Sequence, residues 1–344
     1  MSRRPRLSAL AVLGAVLLSP AAPTAASAAS AVSAVSAASA VSAVSAVSAA
    51  EGGVAWTVQT ADNAQGSGRA NFTYDVAPGD VLSDAMIVVN TGTEPLPLAV
   101  YAADAFTASS GEIDVLVDGT PSRGAGTWVA VASPPLTLAP GQSAEVPFTI
   151  TVPADARPGD HAAGIVTSLS STDASTTLSV DRRLGTRINL RVAGELAPAA
   201  AVAAVSARYE ASWNPFASGR LVVQYAVENT GNTRLTGVET IETAGFGGGR
   251  SAPTRISEII PGSTIEVERE IPAFSLGWIT GSLSLVPEGV GLGAATLAPV
   301  TSDFSVAAVP WSLYVLLLAL LGGVLAAVLL VLRARRRRVA SLAE

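Results

Sequence analysis

The stretch ANFTYDVAPGDVLSDAMIVVNTG, residues 70–92, carries the reading of the fold. Phe72, Tyr74 and Val76 alternate with Thr73 and Asp75, and a period of two puts the apolar side chains on one face of a strand. Ala77-Pro78-Gly79-Asp80 stops the run. Proline pre-sets φ and glycine accepts φ > 0, which is the chemistry of a tight turn. Val81–Val89 resumes as a strand and ends at Asn90-Thr91-Gly92. Short strands cut at this spacing belong to a two-sheet sandwich rather than to a helical or α/β domain.

The same texture extends outward in both directions. Trp56–Gln59, Leu98–Tyr101, Gly126–Val131, Ala144–Val152, His161–Ser168, Leu178–Val180 and Thr186–Val192 read as strands, and Pro140-Gly141 and Pro158-Gly159 as turns. An alanine-rich joint, Ala197–Ala204, precedes a second block: Val202–Tyr209, Gly219–Val227, Thr236–Thr243, Arg255–Ile260, Ser263–Ile271 and Gly281–Leu285. No segment of either block carries the i, i+3, i+4, i+7 stripe of an amphipathic helix. The blocks echo each other. An apolar strand runs into Asn90-Thr91-Gly92 in one and into Asn229-Thr230-Gly231 in the other. Each block then reaches a Pro-Gly turn, at Pro140 and at Pro261. The fold class expected is all-β: two immunoglobulin-like β-sandwich domains, 54–196 and 197–305, plus one C-terminal transmembrane α-helix.

Residues 310–332 carry no charge, and at about 1.5 Å per residue they span the roughly 30 Å hydrocarbon core of a bilayer. Trp311 and Tyr314 stand at the front edge, where amphipathic rings favour the headgroup layer. Arg333, Arg335, Arg336, Arg337 and Arg338 stand behind it, in a tail (333–344) whose cationic flank is retained on the cytoplasmic side. At the other end, Arg3, Arg4 and Arg6, the apolar run Leu7–Leu18 and Ala26-Ser27-Ala28 read as a secretory signal over 1–28. Residues 29–53 follow as a linker built on Ala-Val-Ser triplets, with side chains too small to offset chain entropy by burial. The expected topology is a single-pass membrane protein with its bulk extracellular and its C-terminus cytoplasmic, the lipid bilayer being one partner.

The net charge of −6 conceals an asymmetry. Eight of the 21 basic residues, all arginine, lie in the terminal segments, leaving 13 against 26 acids between them. Such a surface repels polyanions, so nucleic acid is not an expected partner. With no cysteine there is no disulfide framework, no thiolate nucleophile and no thiolate metal site.

Catalytic constellations are hard to assemble. The single histidine, His161, follows Asp160, but adjacent strand residues point to opposite faces and no Gly-x-Ser-x-Gly elbow is present. One histidine cannot organise a zinc site. Asp104, Glu112, Asp114 and Asp118 cluster around a loop without the spacing of an EF-hand, and read as solvated acids. The glycine-rich run 244–250 lacks the Gly-Lys-Ser/Thr ending of a phosphate loop. No enzyme, metal or cofactor is expected. Aromatic residues near strand ends and loops, Tyr101, Phe106, Trp128, Trp213 and Phe216, are the ring faces a sugar would stack on, although core packing is the commoner fate of each. The ligand-binding candidates are Tyr101, Arg123 and Trp128, the last following a glycine-rich loop that holds Arg123.

Phe72-Thr-Tyr-Asp-Val-Ala-Pro-Gly, Ile87-Val-Val-Asn-Thr-Gly, Val100-Tyr-Ala-Ala-Asp-Ala-Phe-Thr, Trp128-Val and Val146-Pro-Phe-Thr-Ile-Thr-Val-Pro, leading into Pro158-Gly-Asp-His-Ala-Ala-Gly-Ile, run in this order over about Trp56–Leu169. In this pattern the first block resembles the peptidoglycan-binding domain of the WxL-interacting proteins of Gram-positive cell surfaces. The resemblance implies a wall-binding sandwich, a second sandwich for contact with a partner, a membrane anchor and a basic tail. It implies no catalytic residue. The function expected is non-enzymatic binding of peptidoglycan, another cell-wall component or a wall-associated surface protein. The alternatives are a surface adhesin or scaffold that binds only protein, through strand edges, and a wall hydrolase, which lacks a recognisable acid/base pair.

Overall fold

The computed structural model describes residues 53–132, 136–172, 179–292 and 297–340. The expected signal peptide, nearly all of the linker and residues 341–344 lie outside the described residues. From Glu51 onward the chain is one compact unit. Its first half forms β1 (Trp56–Thr60), β2 (Phe72–Val76), β3 (Val81–Asn90), β4 (Leu96–Thr107), β5 (Ile113–Val115), a 3-10 turn (Ala125–Trp128), β6 (Val129–Val131), β7 (Leu136–Leu138), β8 (Ser143–Thr151), β9 (Gly159–Thr172) and β10 (Ser179–Val192). Its second half forms β11 (Ala200–Glu210), β12 (Gly219–Asn229), β13 (Leu235–Ala244), β14 (Thr254–Ile259), β15 (Thr264–Ala273), β16 (Gly277–Gly289), β17 (Val300–Ala308) and the helix α1 (Trp311–Ala340).

The strands make four sheets. In the first half, β1-β3-β8-β6 faces β2-β10-β9-β4-β5, with β7 paired to the start of β4. Every pairing is antiparallel except that of β2, which runs parallel to β10. The alternation read from the sequence is the alternation of burial: Phe72, Tyr74 and Val76 are buried, Thr73 and Asp75 exposed. Phe72 meets Phe148 edge-on at 4.9 Å inside one core that also takes Met86, Leu96, Ile150, Ile165, Ile188 and Leu190. Burying each such side chain contributes about 1.5–3 kcal/mol. In the second half, β11-β12-β15 faces β14-β13-β16-β17 around a separate core built on Leu221, Tyr225, Ile241, Ile265, Leu283 and Phe304. Each half is a sandwich of two facing sheets around its own core.

The two echoed motifs fold alike. The Asn90 side chain donates to the carbonyls of Glu94 and Leu138, and its Oδ1 accepts the Gly92 N–H. The Asn229 side chain donates to Thr233 and Ile259 and accepts from Gly231. Each amide therefore staples its own turn to the strand that enters the Pro-Gly turn. Glycine follows two residues later because a Cβ there would lie 2.6 Å from the Gly53 carbonyl in one sandwich and 2.5 Å from the Ala197 carbonyl in the other.

Several expectations are corrected. Residues 126–128 are not strand: the Asp104 carboxylate accepts the N–H groups of Arg123, Gly124 and Gly126 and winds the segment into the 3-10 turn. β5, β7 and β17 were unforeseen, and of the pieces expected at 178–180 and 186–192, residue 178 lies outside the described residues and the rest belong to the one strand β10. β11 begins inside the alanine-rich joint, at Ala200. At the C-terminus α1 runs on through the arginines to Ala340, since alanine and arginine are good helix formers and no glycine or proline interrupts them. Within Trp311–Arg335 of α1 an 18-residue stretch has a mean hydropathy of 3.1 and none of it is buried, so the helix is long and apolar enough to cross a membrane.

Candidate functional site

The three candidate ligand residues do not share a surface. Along β4, Val100 and Ala102 pack on the core, so Tyr101, between them and paired with Val166, faces the outer side of the sheet. Trp128 instead packs half-buried against the core and covers His161, with ring centroids 4.7 Å apart. His161 Nε2 lies 2.9 Å from the Arg157 carbonyl. Arg123 is exposed, with its backbone N–H held by Asp104. Asp104 thus ties a loop together. Asp114 and Asp118 turn their carboxylates to the N–H groups of Val115 and Gly119.

Two buried acids organise the first sandwich. Asp84 receives Arg69 Nη1 at 2.7 Å, Asn63 Nδ2 at 2.6 Å and the Tyr74 hydroxyl. Burial pushes this carboxyl up. The bonds from Arg69, Tyr74, the Ala85 N–H and Asn63 more than offset that and hold it at about 2. The Tyr74 hydroxyl is pushed well above its ordinary value, first by burial and then by Asp84. The carboxylate is saturated with donors, which is the state of a structural pin.

Asp160, the second acid, joins the two sandwiches. It accepts Arg191 Nε at 2.7 Å, Arg191 Nη2 at 2.9 Å and the backbone N–H of Arg234 at 2.7 Å, with its side chain 2% exposed. The Arg191 guanidinium also donates to the Val290 and Gly291 carbonyls, and Asn232 donates to those of Pro158 and Glu195. Glu258 of β14 takes both Arg187 and Arg234. Thr107, at the end of β4, accepts from the Ile260 N–H, donates to the Glu258 carbonyl and donates its own N–H to Ser263. A patch of Ala105, Ala162 and Ile260 packs between these contacts. The junction therefore ties the two sandwiches together. It absorbs the Pro158-Gly159-Asp160 motif and the Asn229–Arg234 motif.

Beyond the junction, one strand edge of the first sandwich stays open. β10 pairs with β9 along its whole length, but β2 covers its other edge only from Ile188 to Val192. Among the described residues no strand covers that edge over Asp181–Arg187. Asp181, Arg182 and Gly185 are exposed there, and Leu184 is 40% exposed. Beside this edge, on the outer face of the sheet, lies a groove of about 550 Å³ walled by Ile113, Val115, Val166, Arg183, Gly185 and Arg187. Burial beneath it is close. A Cβ on Gly185 would sit 2.9 Å from the Ile165 carbonyl. Backbone groups aligned along an uncovered edge, with side-chain space next to it, can accept a further strand. The sequence did not single out this segment, because pairing on one edge and not the other leaves no mark on alternation.

At the far end of the second sandwich, Trp311 is exposed, and the Tyr314 hydroxyl donates to the Leu276 carbonyl. Arg333 and Arg335–Arg338 continue the helix at the opposite end of the apolar span.

No protein-family model and no curated protein matches the chain. Solved structures similar to it include the class 5 fimbriae chaperone CfaA, at 12% identity and a TM-score of 0.32, covering 74% of this chain and 100% of that one. The Escherichia coli chaperone DraB is similar at 13% identity and a TM-score of 0.29, covering 73% of this chain and 98% of that one. The Pseudomonas aeruginosa CupB2 chaperone is similar at 12% identity and a TM-score of 0.28, with 69% and 97% covered. Likenesses of this size fix no function.

Proposed function

We propose that this chain is a non-catalytic, membrane-tethered scaffold of the cell envelope that captures an extended segment of another protein along the open edge of β10. The observation that carries this is the uncovered Asp181–Arg187 edge, which leaves backbone donors and acceptors in register beside a side-chain groove. Main-chain pairing would supply affinity and the groove would read alternate side chains of the incoming strand. Arg183 is paired with Asp181 and Arg187 with Glu258, and the exposed Arg182 beside them favours a partner strand that carries an acid. The arginines behind the apolar span support a topology with that flank in the cytoplasm and both sandwiches outside.

The test uses the full chain in intact cells, with a photo-crosslinking residue at Leu184 or, as control, at the exposed Val81 of β3. Discrete protein adducts from position 184 alone, lost when Arg182→Glu and Arg183→Glu are added, are the expected result. No adduct from 184, together with saturable co-sedimentation on washed peptidoglycan that the same arginine changes leave intact, would replace this reading with the wall-binding one.

A further inference from the structure

The end of the second sandwich from which α1 emerges carries an unusual surface. Register places three loops there. Gly219 at the start of β12 pairs with Ala273 at the end of β15, Ala244 at the end of β13 with Thr280, and Gly277 at the start of β16 with Ala308, the last residue of β17. The loops 211–218, 245–253 and 274–276 therefore surround the root of the helix. On them Trp213 is 97% exposed, Phe216 79%, Phe246 67% and Leu276 46%, and Trp278 at the start of β16 is 59% exposed. Among the described residues these side chains stay exposed, although Phe246 meets the Phe274 ring at 5.8 Å and Trp and Phe of comparable size elsewhere, Trp56, Phe72 and Phe148, are buried. The three loops hold one charge, Arg250, paired to Glu242 at 3.2 Å.

Two hydrogen bonds fix the height of this ring relative to the helix. Ser312 Oγ donates to the Ser212 carbonyl at 2.7 Å, and the Tyr314 hydroxyl donates to the Leu276 carbonyl. Ser212 adjoins Trp213, and Leu276 is two residues from Trp278. The aromatic loops thus stand level with the first turn of the helix, where its apolar span begins at Trp311. Exposed apolar clusters mark interaction surfaces, and indole and phenyl rings at the level where a spanning helix enters are those that favour the headgroup layer.

We propose that these loops form a second membrane contact: a collar of Trp213, Phe216, Phe246, Leu276 and Trp278 seated in the headgroup region of the bilayer that α1 crosses. The inference rests on the reading of α1 as a spanning helix. With contacts on several sides of the helix root, the collar opposes tilting of the sandwiches about a single-helix tether and holds them at a set angle to the membrane.

The chain has no cysteine, so single cysteines can be introduced and labelled without background. The full chain carrying Trp213→Cys, Phe246→Cys, Trp278→Cys or, as a control distant from this end, Thr120→Cys is labelled with an environment-sensitive fluorophore. It is then reconstituted in phosphatidylcholine nanodiscs with or without lipids brominated at shallow acyl positions. The expected result is blue-shifted emission and several-fold stronger quenching at 213, 246 and 278 than at 120. Alkaline carbonate washing of cell membranes is run in parallel. Retention of the chain with water-like, unquenched emission at all three loop positions would overturn the collar and leave the spanning helix standing. Release of the chain by carbonate would overturn the spanning reading and the collar with it. Circular dichroism of each labelled variant establishes that the sandwiches are folded when the emission is read.

Discussion

Replacing Asp160 with asparagine tests the junction most directly. The change keeps the shape of the side chain and removes its charge. Asp160 is 2% exposed and accepts three hydrogen bonds, two from the Arg191 guanidinium and one from the Arg234 N–H. Asparagine offers one acceptor oxygen and turns an NH2 toward donors it cannot satisfy. Arg191, with its side chain 20% exposed, then loses its paired carboxylate, whereas Arg234 keeps Glu258. Removing one partner of a buried pair costs about 3–5 kcal/mol, and the retained oxygen places this change near the lower end, at about 3 kcal/mol. For about 250 folded residues each kcal/mol moves Tm by roughly 2–4 °C, so the expected fall is about 6–12 °C. Differential scanning calorimetry of the full chain in detergent reads it. Arg220→Gln provides the contrast and should leave Tm almost unchanged, because Arg220 meets Glu210 and Glu270 with 54% of its side chain exposed, where solvent screens the pairs. An Asp160→Asn melting point within about 2 °C of the unchanged chain would refute the claim that a buried charge locks the sandwiches together.

Other predictions concern the pins within each sandwich. Asp84 titrates at about 2 when folded against an ordinary 3.8, so its contribution is present above pH 3.8 and is lost as pH falls toward 2. The stability difference between the unchanged chain and Asp84→Asn, from urea titrations, should therefore shrink by about 2 kcal/mol between about pH 5 and about pH 2. A difference that stays flat with pH would remove the charge argument. Asn229→Ala, which strips the staple from the Thr233 and Ile259 carbonyls, should cost about 2–3 kcal/mol, and Asn90→Ala a similar amount, by urea unfolding. A loss below about 0.5 kcal/mol in either would break the equivalence of the two motifs. Glu239 is buried inside the second sandwich, where burial raises its pKa against the opposing pull of Arg269. Glu239→Leu alone should destabilise by about 3 kcal/mol, and adding Arg269→Met should recover most of the loss. A double variant no more stable than the single one would show that the pair does not act as a unit.

The wall-binding expectation drew on aromatic residues near loops, and the structure redistributes them. Trp128, offered as a ligand-binding candidate, packs half-buried on His161 and the core. Trp213 and Phe216, for which core packing was the commoner expectation, stand in solvent at the root of the helix. The sequence marks a loop but not which end of a sandwich it occupies. That end is set by strand registers between residues up to about sixty positions apart, such as Gly219 with Ala273. Asp160 shows the same limit. Its position beside His161 suggested chemistry, whereas its partners come from β10 and from the turn before β13.

What the sequence determined by itself are properties carried by neighbouring residues. The period-two alternation of 72–76 places its side chains on opposite faces whatever the partner strand. Asn-Thr-Gly and Pro-Gly specify reversals through their own φ preferences and side-chain amides, and an uninterrupted apolar run specifies a helix able to cross a bilayer. The tertiary structure alone decided which edges were covered, which acids met which arginines and which rings were left exposed. Each of those depends on how far one strand extends past its neighbour: β2 stops covering β10 at Ile188, and the open edge exists only because of that difference in length.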